Sequence, residues 1–164
     1  MSQLKSRTIF GLGAAASAVL MAVALYLQYV MELEPCPLCM VQRAFVIIFG
    51  VLCLLAALQG PGRRGNRIYA GAALLSCFAG AAAALRQIWL QTLPPDQLPS
   101  CLPSFDYMLE AFPVLEIVRL TLHGTADCAE VTWTLLGLGL AEWSLLSFIA
   151  GAGLSLWVLL RRCA

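Results

Sequence analysis

The chain has 164 residues, of which 61% are hydrophobic and 12% charged, and its mean hydropathy is +0.85. Soluble domains carry about 25% charged residues, so this composition excludes an ordinary water-soluble globule and indicates an integral membrane protein lying in a lipid bilayer. A net charge of +1, with no basic stripe and no Gly-rich phosphate loop, gives no footing for a nucleic-acid partner.

Lys5 and Arg7 precede residues 9–30, 22 residues without a charge. At about 1.5 Å per residue such a helix crosses a hydrocarbon core of about 30 Å. Ala16-Ser17-Ala18 resembles a signal cleavage site, but signal cores run about 7–15 residues and this run continues well past it, so the expectation is a retained helix. Residues 31–39 form a short outer link carrying Glu32 and Glu34. Residues 40–58 are the second expected span, with Arg43 near its start. Gln59-Gly60-Pro61-Gly62-Arg63-Arg64-Gly65-Asn66-Arg67 is a turn signal with three arginines. Residues 68–88 are the third span. They are rich in Gly and Ala, and Gly71, Gly80 and the alanine run 81–84 suit close helix packing in lipid.

Residues 89–142 are the long polar segment and are expected to be an irregular outer loop. Within it, Pro113 to His123 reads as a short helix. It is expected either to lie on the membrane surface or to pack on the rest of the loop. Residues 143–160 are the fourth span, followed by Arg161 and Arg162. In this topology Lys5, Arg7, Arg63, Arg64, Arg67, Arg161 and Arg162 share one side, which the positive-inside rule makes cytoplasmic together with both termini. All nine acidic residues fall on the other side. The expected fold is therefore an all-α membrane protein. It is a single domain over residues 1–164, a four-transmembrane-helix bundle with a long, disulfide-containing periplasmic loop.

The chemistry gathers at Glu34-Pro35-Cys36-Pro37-Leu38-Cys39-Met40-Val41-Gln42-Arg43. A Cys-x-x-Cys pair can close a short disulfide. At a helix N-terminus, free N–H groups and the positive dipole end favour a thiolate. Arg43 would lie one turn from Cys39 on the same helix face. An arginine in lipid costs roughly 2.5–3.5 kcal/mol, which makes it a functional candidate able to stabilise a thiolate or an anionic acceptor. A zinc half-site, a structural disulfide and a snorkelling arginine are the competing readings.

Seven cysteines divide into four and three. Cys36, Cys39, Cys101 and Cys128 are outer. Cys53 and Cys77 lie in expected spans and Cys163 at the cytoplasmic end, and none of these three is assigned a role. Disulfides persist outside the cytoplasm, and pairing Cys36 with Cys39 and Cys101 with Cys128 is the simplest scheme. The second pair would close a loop of 28 residues, a constraint of roughly 3–4 kcal/mol. A zinc site built from all four outer cysteines is the alternative, although Cys101 and Cys128 lack the close spacing of paired ligands.

Taken together, these residues resemble the DsbB family, the disulfide bond formation proteins of the bacterial inner membrane. The resemblance runs through Glu34 to Cys39 with Gln42-Arg43, through Cys101 and Asp106-Tyr107-Met108-Leu109, and through Asp127-Cys128-Ala129-Glu130. It continues through Trp133, Leu136-Gly137-Leu138 and Glu142-Trp143-Ser144-Leu145. Ala141 and Glu142 precede Trp143 where family members often have proline. Some members have a histidine near the outer end of the third span that is implicated in quinone binding; Arg86 or Gln87 stands there in this chain. The only histidine, His123, lies in the long loop.

The resemblance implies an inner-membrane enzyme, a protein-dithiol:quinone oxidoreductase, that reoxidises a DsbA-like periplasmic dithiol protein and passes the electrons to the membrane quinone pool, ubiquinone or menaquinone. It implies Cys36, Cys39, Cys101 and Cys128 as catalytic residues, and Arg43, Gln87 and Arg86 as quinone-binding candidates, with no metal. Through it, the partner's thiolate attacks Cys101, released Cys128 attacks Cys36, and Cys39 is freed to face the quinone. A vitamin K epoxide reductase-like enzyme is the second reading. A non-catalytic scaffold with structural disulfides is the third.

Overall fold

The computed structural model describes residues 2–33, 35–93, 126–129 and 133–160. Cys101, Cys163, the expected helix at 113–123 with its histidine, Glu34, Arg161 and Arg162 lie outside the described residues. Among the described residues there are four long helices: α1 (Ser2–Tyr29), α2 (Pro37–Gln59), α3 (Arg63–Gln91) and α5 (Leu140–Leu160). Each is long and apolar enough to cross a membrane. A single turn, α4 (Ala126–Ala129), and a two-stranded ribbon, β1 (Thr134–Leu135) and β2 (Leu138–Gly139), sit near the start of α5. The protein is thus an all-helical membrane bundle. Its exposed surface carries Ile68, Leu75 and Phe78, side chains that would aggregate in water and are at home against lipid.

All four helices begin before their expected spans, and α2 and α3 also run past them at the far end, for local reasons. Pro37 opens α2 three residues before the expected start, because its fixed φ suits the first helical position and its missing N–H costs nothing there. Gly60 closes α2 in the left-handed conformation (φ 54°), with its N–H on Ala56 O. The Arg7 Nε donates to Ala57 O across 2.9 Å, placing a cation on the negative end of α2. The expected turn shrinks to residues 60–62, so its three arginines lie on the first turns of α3. At the far end of α3, Thr92 Oγ1 caps Trp89 O at 2.7 Å.

Leu136 (φ 57°) and Gly137 (φ 80°) form a two-residue turn with both φ positive. That backbone matches the twist of an antiparallel pair, here in register Thr134↔Gly139 and Leu135↔Leu138. The Trp143 Nε1 donates to Leu135 O at 3.2 Å and fastens the ribbon to α5. The residues expected to be irregular loop here are therefore a hairpin.

Packing is extensive for α1 on α2, α2 on α3 and α3 on α5, whereas α1 barely touches α5. Small residues let the backbones approach: a Cβ at Gly80 would run into the Phe148 ring, and one at Gly50 into Ser17. Two hydroxyls stitch α2 to its neighbours, Ser17 Oγ donating to Val46 O at 2.7 Å and Ser76 Oγ to Phe45 O at 3.1 Å. Such bonds contribute about 0.6–2 kcal/mol each in a bilayer. Cys53 and Cys77 are buried in the main core with Phe10, Phe49 and Phe148, as small apolar side chains. A second, smaller cluster joins Cys36, Leu38, Leu90 and Cys128.

Candidate functional site

That smaller cluster gathers the cysteines that the sequence singles out. Cys36 is the N-cap of α2, and its sulfur accepts the Cys39 N–H at 3.4 Å. Pro37 fixes the chain between them. The Cys36 thiol donates to Cys39 Sγ across 2.9 Å, so the two sulfurs are within reach of closing a bond. Leu38 and Leu90 are fully buried beside them and shut out water.

α4 contacts both α2 and α3, and it brings Cys128 into this cluster, fully buried and hydrogen-bonded to Cys36. Its bond to Cys36, the bond from Cys36 to Cys39 and burial together push the Cys36 thiol far above its ordinary range. Three of the four predicted catalytic cysteines thus share one point, and Cys36 is held there as a thiol.

Two amides hold the pair from the side of α3. Gln87 Nε2 lies 3.3 Å from Cys39 Sγ and 3.5 Å from Cys36 Sγ. Gln87 Oε1 accepts from Gln42 Nε2 at 2.7 Å, and Cys39 Sγ is 3.6 Å from that same oxygen. Both glutamines are buried.

Arg43 sits one turn along from Cys39, as expected, but its guanidinium is spent elsewhere. Nη1 donates to Gln28 Oε1, and Nη2 donates to Ala24 O at 3.1 Å. Both acceptors belong to the last turns of α1, a helix with no basic residue of its own there. Arg43 therefore supplies the cation for the negative end of a neighbouring helix. Arg86 lies with its guanidinium carbon 4.4 Å from the centre of the Trp89 ring, a cation–π contact within α3.

Beside the dithiol, a cavity of about 240 Å³ opens between α1, α2 and α5. Cys39, Gln42 and Arg43 form its polar end, and Trp133 and Trp143 stand in its wall. Neither Gln87 nor Arg86 lines it. A second cavity of about 600 Å³ shares Leu20, Val46 and Ser147 with the first and runs on between α1 and α5, past Gly13, Phe49 and Gly151. The Ser17 and Ser147 hydroxyls in these walls already bond backbone carbonyls, so the continuation is effectively apolar.

The sequence reading gave Gln42 no role of its own. The available signal was an amide inside an apolar span, next to an arginine.

Comparison with known proteins bears on this arrangement. The family model described as "Disulfide bond formation protein DsbB" matches residues 6–158. A disulfide bond formation protein B of Stutzerimonas stutzeri is 60% identical over 156 residues, covering 95% of this chain and 96% of the relative. Disulfide bond formation protein B 1 of Pseudomonas aeruginosa is 55% identical over the same shares of the two chains. The protein of that name from Hahella chejuensis is 48% identical over 97% of this chain and 96% of its own.

Proposed function

The chain belongs to the DsbB family of disulfide bond formation proteins, and on that premise we propose that it oxidises a DsbA-like periplasmic dithiol protein and delivers the electrons to a membrane quinone. The family and the four membrane-spanning helices make it a multi-pass membrane protein with a disulfide-forming redox role. The finer reading rests on one observation: Cys36, Cys39 and Cys128 meet beside a cavity whose polar end carries a cation and whose largely apolar wall includes two tryptophans.

The steps balance as thiol–disulfide exchanges. A partner thiolate attacks Cys101 of a Cys101–Cys128 disulfide, and its second thiol resolves the mixed disulfide, leaving the partner oxidised and Cys101 and Cys128 reduced. The Cys128 thiolate attacks Cys36 of a Cys36–Cys39 disulfide and expels Cys39 as thiolate. Cys101 then displaces Cys36, which restores the Cys101–Cys128 bond and leaves Cys36 and Cys39 as a dithiol. The hydrogen-bonding contact of Cys128 with Cys36 supports the middle step.

The cavity suits a quinone. The Arg43 cation lies at its polar end, Trp133 and Trp143 are flat surfaces in its wall, and the apolar continuation suits an isoprenoid tail. When bound, a quinone supplies the electron sink, taking two electrons and two protons as Cys36 and Cys39 close to a disulfide. Gln87 serves the sulfurs rather than the quinone, and Arg86 packs on Trp89.

The orientation proposed is cytoplasmic termini in the bacterial inner membrane. In its support, Arg7 meets the end of α2 where the arginines of α3 begin, at the end of the bundle opposite the dithiol. The test is turnover in detergent with a reduced periplasmic dithiol protein and a quinone. Dithiol lost and quinol formed should match one to one; dithiol oxidation with no quinone consumed would sink the proposal.

A further inference from the structure

We propose that Gln42 and Gln87 form an amide relay in which Gln42 fixes the orientation of Gln87, so that Gln87 presents its NH2 group to the sulfurs and holds Cys39 ready as a thiolate. The inference rests on the dithiol reading above and adds to it a positioning role that is separate from quinone binding.

A primary amide has two unlike ends. Its NH2 group stabilises a thiolate; its oxygen repels one and can only accept from a thiol. Which end of Gln87 faces the sulfurs therefore decides its effect. The 2.7 Å bond from Gln42 Nε2 occupies Gln87 Oε1 and leaves Nε2 at 3.3 and 3.5 Å from the two sulfurs. A flipped Gln87 would set its NH2 against the NH2 of Gln42, two donors facing each other with both residues at least 95% buried. Burial denies the flipped form a water partner, so the bond from Gln42 acts as a latch.

The neighbouring groups leave this task to the amides. Cys36 is itself a donor to Cys39, and Cys128 is bonded to Cys36. Arg43 gives its guanidinium to Gln28 and Ala24 on α1, Arg86 lies over Trp89, and Glu142 accepts from Gly139 N at the ribbon. Among the described side chains, Gln87 therefore provides the neutral, non-titrating donor to Cys39, while a thiol, Cys36, provides the other.

The test uses full-length reduced protein, free of quinone and of partner. It follows the pH profile of iodoacetamide alkylation at Cys39, located by peptide mass spectrometry. Gln87→Glu keeps an acceptor for Gln42 and replaces only the group facing the sulfurs. Gln42→Glu touches neither sulfur but turns the latch from donor to acceptor, which draws the Gln87 NH2 away and swings its oxygen toward Cys39. Both should move the midpoint of alkylation upward by about one pH unit, a tenfold loss of thiolate at fixed pH. Gln42→Met, which removes the latch without reversing it, should give a smaller upward shift and remains readable if either glutamate variant fails to fold.

A shift in Gln87→Glu with wild-type midpoints in both Gln42 variants would overturn the relay. Wild-type midpoints in all three would overturn any role of the amides in holding the thiolate. Because no quinone is present, failure of the relay and failure of quinone reduction are read separately.

Discussion

Arg43 is the residue for which the sequence and the structure suggest different work, and substitution separates the two. Read from sequence, its cation stabilises negative charge at Cys39 or on a reduced acceptor. In the structure it clamps α2 to the end of α1 through Gln28 Oε1 and Ala24 O. A hydrogen bond to a charged group contributes about 1.5–3 kcal/mol in soluble proteins, and interhelical bonds in bilayers average nearer 0.6 kcal/mol with a ceiling near 2. About 2 kcal/mol for the two bonds together is a fair figure. In a chain of this size that is a fall in melting temperature of about 4–8 °C. The same clamp shapes one wall of the cavity beside Cys39. If most of that energy is felt there, quinone KM rises by roughly 10–30-fold. Arg43→Ala should therefore lower both stability and quinone affinity, and Arg43→Lys, which keeps the charge but loses the fork, should fall between. The control is Gln28→Leu, which removes an acceptor and leaves the cation. If the clamp is the main role, Gln28→Leu lowers the melting temperature and raises quinone KM in the same direction as Arg43→Ala, with exchange between the partner and Cys101 unchanged in all three. Loss of quinone reduction in Arg43→Ala at an unchanged melting temperature, with Gln28→Leu silent, would refute the clamp and return Arg43 to direct electrostatic duty.

Other expectations are simpler to state. The Cys36 thiol is held well above its ordinary range by its bonds to Cys128 and Cys39 and by burial, so the folded state binds its proton more tightly than the unfolded chain. The contribution of Cys36 to the stability of the reduced protein should be intact below about pH 8.5 and decline above it, by up to about 1.4 kcal/mol per pH unit. Chemical denaturation across that range should show the slope, and a Cys36→Ser variant should show a shallower one. Gly80→Leu drives a side chain into Phe148 between α3 and α5 and should cost about 1–3 kcal/mol or more, seen as a lowered melting temperature, whereas Gly71→Leu, where a Cβ meets open space, should be nearly silent. Cys53→Ala and Cys77→Ala leave the dithiol cluster untouched and should keep turnover in the quinone assay.

The four helices were legible because lipid imposes a crude rule: about 20 apolar residues make a span, and the charges mark its ends. Helix ends were less legible, because local bonds set them. Nothing in composition shows that Pro37 starts α2 or that Arg63, Arg64 and Arg67 continue into α3 rather than sit in a turn; those follow from a proline at N1 and from a connection closed by Gly60. The hairpin at 134–139 was hidden for a related reason. A turn with two positive φ values usually advertises itself as Asn-Gly, whereas here Leu136 takes the first position. The ribbon is held in place by a tertiary bond from Trp143 to Leu135 O.

At the site, the cysteines were legible because their chemistry depends on residue type and close spacing, which a sequence displays directly. Their wiring was not, because it runs between residues far apart in the chain. Cys36 and Cys128 meet only because α4 packs on α2 and α3. Gln42 and Gln87 are 45 positions apart and look, one at a time, like polar residues that an apolar helix tolerates. Each alone would leave a buried amide in want of partners, a cost that a membrane helix avoids. The bond between them pairs the Gln42 NH2 with the Gln87 oxygen and leaves the Gln87 NH2 group for the sulfurs. A dithiol buried among apolar side chains is served by donors that neither titrate nor carry charge, and a pair of amides meets that need where a lysine or histidine would not.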